Sequence, residues 1–158
     1  MVEQDLETLT LKAWLEQIWN AYRRGVPQFG QHAVLVRCML HHSTWKRYWD
    51  SLVMGRTDHD DGLQKAIVHI HNDVTIISQI QSGSPAGVKA LSDLLESRGF
   101  DEFAIVHTIG VALSEESYFA REHSEEFNVT RYVENAGKYA RELLTRPDLT
   151  NRARAMTV

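Results

Sequence analysis

The sequence predicts an all-α protein, a single-domain bundle of about six to seven helices. Three observations carry this. Apolar residues recur at the i, i+3, i+4 spacing of one helix face along most of the chain. Gly, Pro or polar clusters divide these periodic segments. No segment reads as a strand, and there is no low-complexity stretch or strong internal repeat. A length of 158 residues suits one domain.

The first helix carries Leu11, Trp14, Leu15, Ile18, Trp19 and Tyr22 on one face and stops at Gly25 and Pro27. A second runs from near Gln31 to His41, and its segment AVLVRCML is apolar on most sides, which predicts burial. Ser43 is placed to cap a short third helix bearing Trp45, Tyr48, Trp49, Leu52 and Val53. The polar run RTDHDDG then reads as a loop.

The fourth helix spans about Leu63 to Gln81. Its main stripe is Leu63, Ala66, Ile67, Ile70, Val74 and Ile77, and a second face holds His69, Asp73, Ile76 and Ile80. Gly83 ends it. Ser84 and Pro85 read as an N-cap followed by proline at the first helical position. The fifth helix carries Val88, Leu91, Leu94 and Leu95 and stops at Gly99. Asp101 caps the sixth, with Ile105, Val106, Ile109, Ala112 and Leu113 on its main stripe. Its opposite side holds Phe103, His107, Gly110, Val111, Ser114 and Tyr118, so packing on two sides is expected. After a charged loop, REHSEEFN, Asn128 starts a seventh helix that Pro147 closes. The domain is expected to occupy residues 1–145, with 146–158 a mobile tail.

Composition narrows the function classes. The hydrophobic fraction of 43% and the charged fraction of 24% are ordinary for a soluble globular protein. The net charge of -4 gives no overall basic field to attract nucleic acid. A local basic face from Arg23, Arg24, Lys46 and Arg47 is the weaker counter-reading. Cys38 is the single cysteine, so no intrachain disulfide forms. No apolar run approaches the roughly 20 residues of a membrane span. The acidic N-terminus lacks the regions of a signal peptide, and the expected location is cytoplasmic.

Eight histidines and four tryptophans stand out. His69 and Asp73 are four residues apart, so their side chains share a helix face. Such a pair holds a divalent metal, or forms a hydrogen bond that locks helix packing. His107 joins them if the fourth and sixth helices pack antiparallel. That makes a two-His, one-carboxylate set, the minimum shell of a non-haem metal site. Glu115 stands about 12 Å along the helix from His107, so Glu115 and Glu116 are expected to reach solvent or a neighbouring cation. His41 and His42 end the second helix, where a cationic side chain is favoured, and His42 can also face the core. No zincin helix, phosphate-binding Gly loop, Cys-x-x-Cys pair or nucleophile elbow occurs, so no catalytic set is complete.

The segments HHSTWKRYW, HIHNDVTIISQIQSGSP, FAIVHTIGVALSEE and RYVENAGKY together resemble the bacterial domain-of-unknown-function family numbered 1841. The resemblance covers roughly residues 35–144, with His42, His69, Gln79, His107 and Glu115 at matching positions. Lys46, Asp73, Ser78 and Phe103 depart from the family pattern, which has His, His, Glu and His there. The resemblance implies an all-α fold and a histidine-rich pocket, here thinned.

Two functions follow from these residues. One is a small helical binding or adaptor protein acting through protein contacts, with Trp14, Trp19, Trp45 and Trp49 as partner-binding anchors. The alternative is a metal-binding helical protein or metalloenzyme that uses His69, Asp73 and His107. The expected partner is a protein, or a second copy of this chain, rather than a nucleic acid or a membrane.

Overall fold

The computed structural model of the chain describes residues 2–56 and 61–146, with side chains from Thr10 onward. Seven α-helices and one 3-10 turn make up this part, and no strand occurs among the described residues. The helices are α1 (Val2–Arg23), α2 (Gln31–His41), α3 (Lys46–Val53), α4 (Asp61–Ser82), α5 (Ala86–Ser97), α6 (Glu102–His123) and α7 (Val129–Thr145). The 3-10 turn Ser43–Trp45 lies between α2 and α3. The all-α class expected from periodicity is the one observed. His59, Pro147 and the expected tail beyond Arg146 lie outside the described residues.

The chain forms two compact units, Met1–Val74 and Thr75–Val158. The boundary falls inside α4, so no linker separates them.

In the first unit two tryptophans are packed among aliphatic side chains. Leu15, Ile18 and Trp19 of α1 are buried, as are Leu35, Val36, Cys38 and Met39 of α2 and Trp49 and Leu52 of α3. Burying an indole removes about 150–250 Å² from water, a gross gain of about 4–6 kcal/mol. Its N–H must still find an acceptor. Trp19 Nε1 donates to Asp50 Oδ1 at 2.9 Å, which ties α1 to α3. Trp49 Nε1 donates to the Met39 carbonyl at 3.3 Å, one of the last-turn carbonyls of α2 that have no partner within their own helix.

In the second unit α6 and α7 form a hairpin joined by residues 124–128. Ser124 closes α6 in the left-handed conformation (φ 51°), and the Asn128 side chain caps α7 by accepting from the Arg131 N–H at 3.0 Å. Glu116, only 1% exposed, binds this turn together. It accepts from the Asn128 N–H at 2.9 Å and from Arg131 Nε at 2.5 Å and Nη2 at 2.7 Å. The Arg131 guanidinium holds the Glu116 carboxyl below its ordinary range despite burial, with the Asn128 N–H adding to the effect. Helix α5 approaches α7 at Gly87, where a Cβ would lie 2.3 Å from Val133 Cγ1. Tyr132 is fully buried and donates to Gln79 Oε1 at 2.7 Å, and burial pushes its phenol well up from the usual value.

Four local expectations are corrected. Ser43 does not cap α3. It opens the 3-10 turn, and the Lys46 N–H bonds to the Ser43 carbonyl. Pro85 is the N-cap of α5 rather than its first helical residue, because its backbone is extended (ψ 145°). Helix α6 continues to His123, so Arg121, Glu122 and His123 belong to its last turn, where basic groups complement the helix dipole. Its opposite side is half-buried at Phe103, His107 and Gly110 but exposed at Val111, Ser114 and Tyr118, so packing on that side does not run the length of the helix.

Candidate metal centre

Asp73 is the one buried residue of the first unit with a charged side chain, among the described residues. It is 2% exposed, four residues after His69 on the same face of α4. A carboxylate out of water is costly unless its oxygens are bonded. The fold supplies two imidazoles. His42 Nε2 lies 3.1 Å from Asp73 Oδ2, and His69 Nε2 lies 3.5 Å from Asp73 Oδ1. His42 reaches this position because α2 ends at His41 and the backbone turns into the 3-10 segment at His42 (φ -91°, ψ 69°).

Aromatic rings wall the group. The Trp45 ring stacks on His42 (centroids 4.4 Å apart, planes at 23°) and meets His69 edge-on at 5.0 Å. His42 and His69 are themselves perpendicular at 4.7 Å, and His41 packs edge-on against His42 at 5.1 Å. The His42 side chain keeps 14% of its exposure and that of His69 keeps 39%, so the group opens to solvent at the His69 side.

The donor set fits a divalent cation. His42, His69 and Asp73 each offer one ligand atom, and these lie within 4.8 Å of one another. Atoms bound to one ion at about 2.0–2.2 Å stand about 2.8–3.6 Å apart at tetrahedral or octahedral angles. The 3.1 Å and 3.5 Å separations fall in that range. They equally suit imidazole N–H groups donating to the carboxylate, so this geometry serves both an ion and a hydrogen-bonded lock.

Of the residues singled out from sequence, His69 and Asp73 do meet. His107 lies on α6 in the second unit, half-buried, with its ring 6.0 Å from that of Phe103. His42, which the sequence reads as a helix-end residue that can also face the core, joins His69 and Asp73. Its match to the leading histidine of the family pattern was the available signal. Trp45 is half-buried and stands against His42 and His69. Trp19 and Trp49 are core residues, 1% and 0% exposed, and offer no surface to a partner. Trp14 is half-buried, edge-on to His32 at 5.7 Å.

The remaining expectations are resolved residue by residue. Glu116 has found its neighbouring cation in Arg131, and Glu115 accepts from the Tyr139 hydroxyl at 2.5 Å. Cys38 is buried within α2, as a packing residue would be. In the basic face, Arg23 pairs with Asp50 at 3.4 Å and Arg47 donates to the Tyr48 hydroxyl at 2.9 Å, so two of its four members are occupied locally. No helix of the described residues is long and apolar enough to cross a membrane.

No family model, curated protein or solved structure matches this chain.

Proposed function

We propose that this chain is a metal-binding helical protein whose divalent cation is held by His42, His69 and Asp73. The observation that supports this most is the buried Asp73 carboxylate, with an imidazole Nε2 at each oxygen and ligand-like spacings. Imidazole and carboxylate donors without thiolate suit zinc, iron(II) or manganese(II) rather than a soft ion. Bound here, such an ion would supply Lewis-acid polarisation of a ligand entering from the His69 side. Asp73 would lower the net charge of the complex, and Trp45 would limit water on the His42 ring. The same segments carry the resemblance to family 1841.

Elemental analysis of the purified protein tests the reading. About one equivalent of metal per chain is expected in the wild type, and little in Asp73→Asn or His42→Ala. His107→Ala tests the histidine that the sequence adds to this set: a loss of affinity of about tenfold or more is expected of a ligand. Near-zero metal in the wild type, together with no zinc or manganese binding in a direct titration, rejects the proposal.

A second reading, protein binding, is favoured by a different observation. An apolar groove of about 410 Å³ at the α1–α2 turn is lined in part by Tyr22, Val26 and Leu40, and Phe29 close by in sequence is 79% exposed. Apolar groups of this size in water favour association. Size-exclusion chromatography with light scattering tests the case of a second copy. Leu40→Glu is expected to shift any oligomer to monomer, and a wild type that is monomeric at all concentrations removes that case.

A further inference from the structure

The second unit contains a cavity of about 330 Å³ between the end of α4, the last turns of α5 and the start of α6. Its inner wall is apolar, made by Ile77, Phe100 and Ile105, which are 2%, 9% and 4% exposed. Ser92 also lines it. This residue is 94% buried (6% exposed), and its hydroxyl has no hydrogen-bond partner among the described residues. A serine within a helix ordinarily bonds back to the preceding turn or points to water. Here its hydroxyl borders the cavity.

The rim carries charge of one sign. Glu96 and Glu102 line the opening, and both are exposed. Glu102 sits in the first turn of α6, where a carboxylate is favoured by the helix dipole. Glu96 has no such support. It lies in the last turn of α5, the negative end of that helix, and its side chain has no hydrogen bond or ion pair among the described residues. No lysine or arginine lines the cavity. An apolar interior, one hydroxyl open to the cavity and an unpaired carboxylate at the mouth form the pattern of a small-ligand site with a few placed polar groups.

We propose that this cavity binds a small amphipathic amine, its apolar body on Ile77, Phe100 and Ile105 and its ammonium group at Glu96. The Ser92 hydroxyl supplies a hydrogen bond inside the cavity. Glu96 then gains the cation that its helix end favours, and a charge-assisted hydrogen bond forms at the rim. An anionic analogue of the same shape is repelled by both carboxylates. The site is independent of the histidine cluster, and binding there requires no metal.

The test is an amide-resolved NMR titration of the full chain with phenethylammonium, 3-phenylpropanol and 3-phenylpropionate. Saturable shifts are expected at the amides of Ser92, Phe100 and Ile105. The amine is expected to bind about tenfold more tightly than the alcohol, and the acid more weakly still. Glu96→Gln, an exposed substitution that leaves folding intact, is expected to bring amine and alcohol within about twofold. Ser92→Leu fills the cavity and is expected to abolish binding of all three, with helicity checked by circular dichroism. Equal binding of amine and alcohol by the wild type overturns the proposal. So does a preference that survives Glu96→Gln, or the absence of saturable shifts up to about 10 mM of the amine.

Discussion

Asp73 Oδ2 lies 3.1 Å from His42 Nε2, across 31 residues of chain and in a site where the carboxylate is almost wholly removed from water. One contact thereby joins the C-terminal end of α2 to the middle of α4. Replacing Asp73 by Asn keeps shape but removes the negative charge and leaves an amide nitrogen facing an imidazole. The metal-free variant is expected to lose about 1–3 kcal/mol of stability in urea unfolding. It is also expected to lose the rise in unfolding midpoint that zinc gives the wild type. An Asp73→Asn protein still stabilised by zinc as strongly as the wild type would remove Asp73 from the ligand set.

Trp45 reports on the same place. Its ring stacks on His42 at 4.4 Å, so an ion on that imidazole changes the indole environment directly. Trp19 and Trp49 are packed in the core and Trp14 is set against His32. Metal-dependent change in tryptophan emission is therefore expected in the wild type and not in Trp45→Phe, while Trp45→Phe still binds metal. Trp45→Ala removes the aromatic stack as well, worth about 0.5–1.5 kcal/mol, and is expected to weaken metal affinity by up to about tenfold. A full emission response in Trp45→Phe would place the ion elsewhere.

Glu116 makes stability depend on acid. Its hydrogen bonds from Arg131, and then from the Asn128 N–H, lower its folded pKa below the ordinary 4.5. A depressed carboxyl contributes stability that is fully present above its unfolded pKa and is lost as pH falls through the folded value. The stability difference between wild type and Glu116→Gln is therefore expected to be largest near neutrality and to shrink below about pH 4.5. Urea unfolding of both proteins from pH 7 to pH 3 measures it. A difference that stays constant across that range contradicts the assignment.

Gly87 is where α5 meets α7. Alanine there gains about 1 kcal/mol of helix propensity, yet its Cβ would sit 2.3 Å from Val133 Cγ1. Valine is stiff at χ1 and cannot swing aside cheaply. Overpacking of this kind costs about 1–3 kcal/mol, so Gly87→Ala is expected to be net destabilising by up to about 2 kcal/mol. Val133→Ala is expected to rescue it, giving a favourable coupling in the double-mutant cycle. Additive effects of the two changes would show that the helices do not touch there.

The helices and their core stripes were legible in the sequence, because a 3.6-residue period is a local property of the chain. The bounds of α2, the caps at Asp101 and Asn128, and the buried stripe of α6 all follow from that period and from backbone capping chemistry. The pairing of His69 with Asp73 was legible for the same reason, since four residues apart is one helix turn. Tertiary packing alone decided that His42, 27 residues before His69, adds its ring to this pair, and that Trp45 stacks on it. It likewise buried Trp19 and Trp49, and left Ser92 beside a cavity rather than against solvent. No local period encodes these outcomes. They depend on which helix faces meet, and that is set by the summed burial of apolar surface over the whole unit and by the partners each buried polar group must find.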